Sequence, residues 1–66
     1  MTEREFSKDI QELMSKVLYH LKITGDREAA GEYSKDLSET IDRAVEVLGY
    51  QTAKPLIREA CDKAEA

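Results

Sequence analysis

Apolar residues recur at helical spacing along the whole chain, and the clearest run lies between Ala30 and Leu48. At about 100° per residue, Ala30, Tyr33, Leu37, Ile41, Ala44 and Leu48 fall within about 40° either side of Leu37, the stripe of a helix packed on a core. Across from it, Glu28, Glu32, Lys35, Glu39, Asp42 and Glu46 line the far face, an acidic ridge turned towards water or a partner.

Ahead of that stretch, Phe6, Ile10, Leu13, Met14, Val17, Leu18 and Leu21 spread over an arc of about 140°, wider than a coiled-coil seam, so this helix should touch two neighbours. Tyr19 and Ile23 fall on its wet side. Thr2 and Glu5 read as a capping box that opens it. Thr24, Gly25 and Asp26 then supply a stop and a start, and so short a link forces an antiparallel hairpin. Gly31 is the one poor helix former inside the second helix, at a cost of about 1 kcal/mol relative to alanine. Further on, Val45 and Val47 widen the apolar side where a third element should pack. Gly49 ends the second helix, and Tyr50 sits where a hydrophobic contact back onto Val45 is expected. Thr52 can cap a third helix with Pro55 in its first turn, where a missing amide does no harm. Its apolar side is Ala53, Leu56, Ile57, Ala60, Cys61 and Ala64. The pattern predicts helices over residues 3–23, 27–48 and 53–64: an all-α single domain built as a long antiparallel helical hairpin with a shorter third helix, a three-helix bundle.

Length makes that inequality matter. Two helices of about 20 residues run about 30 Å, whereas one of about 12 covers only about 18 Å. The short helix is expected beside Phe6, Ile10, Val45 and Leu48, leaving the end that bears Met14, Leu18, Leu21, Ala30 and Tyr33 to be closed by a second copy of the chain or by another protein. A chain of 66 residues and 7.5 kDa buries only about 60% of the surface it exposes unfolded. Its single cysteine, Cys61, cannot form an intrachain bridge, and with one histidine, His20, there is no Cys/His set for structural zinc. Self-association is the stabilising device that remains, so a homodimer is expected.

Charge adds a polarity to this picture. The formal net charge is -4, and residues 26–48 hold three bases and seven acids, so the whole excess lies on the second helix and its cap. That balance argues against adhesion to nucleic acid or to an anionic membrane surface. No apolar run approaches the about 18 residues of a membrane span, the opening residues lack the pattern of a signal peptide, and a free cysteine suits a reducing compartment, so a cytoplasmic location is expected.

Candidate chemistry is sparse. His20 lies at the edge of the first helix's stripe, a boundary position, and Cys61 reads as a packed thiol on the apolar side of the third helix rather than a nucleophile. Close carboxylate pairs are inevitable on such acidic helices. Gly-rich phosphate loops, Ser/His/Asp sets and paired cysteines do not occur, and a small helical hairpin offers little concavity for a substrate. The expectation is therefore no enzyme, no cofactor, no metal and no small-molecule substrate. What is expected instead is a non-enzymatic protein–protein interaction module, regulatory or adaptor in kind, using Met14, Leu18, Leu21, Ala30 and Tyr33. The ridge of Glu28, Glu32, Glu39, Asp42 and Glu46 is expected to be a solubilising face or a docking one.

An alternative comes from the run Ala44 to Ala53, AVEVLGYQTA. It resembles the first helix and turn of a helix-turn-helix DNA reader, where an alanine and then a leucine–glycine pair precede a recognition helix. The resemblance implies a transcriptional regulator that uses residues 44–60, with Gln51, Thr52, Lys54 and Arg58 facing the groove. Residues 44–66 carry three bases and four acids, which places the interaction module ahead of it.

Overall fold

A computed structural model describes residues 2–65 of the chain. Three helices form: α1 (Glu3–Tyr19), which passes into a wide π-turn (His20–Thr24), α2 (Arg27–Leu48) and α3 (Tyr50–Glu65). Every helix packs against the other two, and among the described residues there is no strand. The long axis measures 34 Å.

Local signals account for the helix ends. Thr2 is extended and its Oγ1 accepts from the Glu5 amide at 3.3 Å, the expected opening cap of α1. Asp26 does the same for α2, its Oδ1 accepting from the Ala29 amide at 3.1 Å. Between them the helix widens instead of running on to residue 23. Thr24 Oγ1 donates to the His20 carbonyl at 3.2 Å, lies 3.1 Å from His20 Nδ1 and accepts from the Asp26 amide at 3.2 Å. The Thr24 hydroxyl is thus shared among the His20 carbonyl, the His20 ring and the Asp26 amide, which ties the turn together. Gly25 then turns left-handed at φ 71° and reverses the chain.

The third helix departs most from its expected span. It begins at Tyr50, not at residue 53, because Gly49 serves both helices: its amide donates to the Val45 carbonyl and its carbonyl accepts from the Ala53 amide, each at 2.9 Å. Thr52 is therefore inside the helix, and Pro55 sits in the second turn, where its missing amide leaves the Gln51 carbonyl without its helical donor. Tyr50 does not fold back onto Val45. It is exposed, with Lys54 Nζ 5.8 Å from its ring centre. With 16 residues, α3 covers about 24 Å beside the about 33 Å of α2, so the open end is shorter than the sequence suggests.

The core is a column of small and large side chains on the axis between the helices. Phe6, Ala44 and Ala53 are fully buried together, with Val45, Leu48, Leu56 and Ile57 packed around them. Ile10, Leu37 and Ala60 form the next layer with Leu13, Met14, Ile41 and Cys61. Alanine on α2 and α3 opposite phenylalanine on α1 lets the backbones approach around the one large ring of the layer. Val47, expected to help seat the third helix, is instead exposed, because α3 leaves Gly49 on the Val45 side.

Candidate interaction site

Beyond the second core layer the hairpin closes on itself. Val17 and Ala30 are buried there, at 7% and 3% exposure. Ala30 was expected in a partner interface; it belongs to the chain's own core, because α1 and α2 already pack closely at a residue with no side chain beyond Cβ. Tyr33 is half-buried by neighbours from α1 and the π-turn. The His20 ring stacks on it with centroids 5.4 Å apart and planes 9° from parallel, and Lys16 Nζ lies 5.3 Å from its ring centre. Tyr19 meets the His20 ring edge-on at 5.4 Å. His20 is thus a half-buried boundary residue whose ring caps the α1–α2 seam.

The other three expected interface residues differ in how far they are covered. Met14 packs partly into the second core layer, Leu18 is half-buried, and Leu21 is 51% exposed. Regular spacing at i, i+4 and i+7 would put them on one side of a single helix, but Leu21 lies in the π-turn past the end of α1 and is the most exposed of the three. The π-turn is the cause of Leu21's exposure: its wider turn advances fewer degrees per residue than an α-helix, so His20 comes over Tyr33 and Leu21 swings off the stripe on which regular spacing puts it. Tyr19 and Ile23, 53% and 70% exposed, crown the other side of the tip. Sequence periodicity assigned those two to the wet side but gave no sign of the π-turn.

The acidic ridge stands clear of all packing: Glu28, Glu32, Glu39, Asp42 and Glu46 are exposed, as is Lys35 among them. On the opposite side of the molecule an open groove of about 650 Å³ runs between α1 and α3. Arg4, Ser7, Lys8 and Gln11 form one wall, and Pro55, Leu56, Glu59 and Lys63 stand on the other. Helical periodicity does not reveal this groove, since its mostly polar lining comes from two helices whose relative rotation only packing sets. Among the described residues the one ion pair is Lys63 to Glu59, at 3.1 Å within α3, so Arg4 and Lys8 face the groove without a carboxylate in contact.

Cys61 lies at the edge of the second core layer, its thiol pushed above the ordinary 9.0 first by burial and then by the nearby carboxylates of Glu65 and Asp62. The thiolate is disfavoured there, as suits a packing residue. Among the described residues no group of three or more His, Cys, Asp or Glu side chains is placed to hold a metal ion, and no helix is long and apolar enough to cross a membrane. Gln51, Thr52, Lys54 and Arg58 are all exposed on α3. The link before them, the single residue Gly49, is tighter than the three- or four-residue turn of a helix-turn-helix.

No family model matches the chain, and no curated protein or solved structure matches it either.

Proposed function

We propose that the protein is a small non-enzymatic protein–protein interaction module, regulatory or adaptor in kind, that works as a homodimer joined at the hairpin tip. The observation that carries this reading is Leu21, 51% exposed in the π-turn beside the half-buried Leu18 at the end of α1. Total surface supports it. The chain exposes 4769 Å², whereas a folded monomer of this mass averages about 4,200 Å², an excess of about 500 Å². A contact centred on Leu21 is self-complementary about a two-fold axis, so it closes as a pair.

Light scattering tests the reading directly. At micromolar concentration the mass should be twice 7.5 kDa, and Leu21→Glu should halve it with helicity by circular dichroism retained, since that side chain is not core. A wild-type protein that stays monomeric, or a variant that stays dimeric, overturns the tip contact. Retention on duplex DNA with steep salt dependence would instead favour a reader built on residues 44–60.

A further inference from the structure

The α1–α3 groove and the α2 ridge are complementary surfaces on opposite sides of one molecule. The groove and the smaller hollow beside it, which share Pro55 and Glu59, are lined by five bases and three acids: Arg4, Lys8, Lys54, Arg58 and Lys63 against Glu3, Glu59 and Asp62. Lys63 and Glu59 pair with each other, which leaves four bases, Arg4, Lys8, Lys54 and Arg58, against Glu3 and Asp62. The ridge presents five carboxylates against the one ammonium of Lys35, all exposed. It is convex and helical, and the groove is the trough between two helices, the shape into which a helix packs.

We infer that the groove docks the acidic outer face of α2 from a second copy of the chain. Arg4 and Lys8, one turn apart on the groove wall, face Glu39 and Asp42 or the carboxylates a turn away along the ridge. Pro55 and Leu56 supply an apolar floor under the helix stems. No residue of α2 lines the groove, and the ridge points away from the core that α2 shares with α1 and α3. A single partner therefore cannot fill the groove and cover the ridge at once. The contact is heterologous and adds copies in a row, in contrast to the closed pair at the tip, and it stands independently of that pairing. Its charges lie at the surface, so salt weakens it: the screening length is about 10 Å at 0.1 M ionic strength and about 3 Å at 1 M.

Sedimentation of the 66-residue chain at low and high salt tests this. At about 20 mM salt the weight-average mass should rise with protein concentration to at least about twice its value at about 0.5 M, where growth stops. Arg4→Glu with Lys8→Glu should abolish the growth, and so should Glu39→Lys with Asp42→Lys. All four positions are exposed, so the fold persists. Mixing the two double variants joins the intact ridge of one to the intact groove of the other, and the reversed groove of the first to the reversed ridge of the second, so the mixture should regain the growth that each variant alone has lost. Leu21→Glu should leave the low-salt growth in place while removing any high-salt dimer, which separates failure of the tip reading from failure of this one. A mass that does not depend on salt, growth that survives either double variant, or a mixture that stays unassociated overturns the inference.

Discussion

Three glycines illustrate how differently one residue type acts at three backbone positions. Gly25, at φ 71° and ψ 12°, occupies the left-handed region where any side chain costs about 1 kcal/mol. Gly49, at φ 85° and ψ 153°, lies in a region reached essentially by glycine alone, where another residue costs of order 1–3 kcal/mol. Gly31 has ordinary helical dihedrals, and a Cβ built on it meets nothing within 4 Å. Gly31→Ala should therefore stabilise the protein by about 1 kcal/mol, raising the melting temperature by about 4–8 °C in a domain this small. Gly49→Ala should lower it by more than that, and Gly25→Ala by an intermediate amount. Thermal melts followed by circular dichroism rank the three; a destabilising Gly31→Ala would mean that glycine is needed there for a close approach by another chain.

At the scale of elements, the clearest anomaly is Pro55 in the second turn of α3. A proline inside a helix costs about 3 kcal/mol, through the lost amide and the clash with the carbonyl four residues back. Pro55 is exposed, and its ring lies on the groove side, so the cost is borne on a surface the core does not need. Pro55→Ala should raise helicity and stability by about 1–3 kcal/mol in chemical denaturation. In the salt-dependent assembly it should weaken the contact by removing part of the floor. Stabilisation without loss of assembly would show that the ring has no part in docking. The elements that were legible in the sequence are those whose signals are local: the caps at Thr2 and Asp26, the reversal at Gly25 and the α2 stripe on Leu37 and Ala44. The early start of α3 was hidden because Thr52 and Pro55 together imitate a cap and a first turn, while the actual cap is a glycine carbonyl with no side-chain signature. The π-turn was hidden for a related reason, since it arises from how Thr24 shares its hydroxyl and how His20 meets Tyr33, a contact between segments. Of the candidate site, the exposure of the ridge was readable from periodicity, whereas regular spacing puts Leu21 on the α1 stripe that the π-turn takes it off. The groove was not readable, because nothing in one helix's pattern states which polar positions of two helices will face each other.

For the whole molecule the governing quantity is how little interior 66 residues provide. Only Phe6 and Ile10 among the large side chains are fully buried, and the three other fully buried residues, Ala44, Ala53 and Ala60, each add little apolar area. Stability of such a chain is small, and any contact made by the folded form alone adds to it by mass action, as RT ln(1 + [L]/Kd) with the partner copy as ligand. Pairing at the tip therefore makes the melting temperature depend on protein concentration, which a monomer's does not. At high salt, where the groove contact is screened, a hundredfold rise in concentration above the dimer's Kd adds about 2.7 kcal/mol per dimer, or about 1.4 kcal/mol per chain, a shift of about 5–10 °C in a domain of this size. Leu21→Glu should flatten that dependence to zero without changing the melting temperature in the dilute limit, because the residue touches no core layer. Differential scanning calorimetry across two decades of concentration measures both. A melting temperature of the wild-type protein that does not move would mean that Leu21 meets water rather than a second copy in the isolated chain, and that the tip is reserved for a different protein.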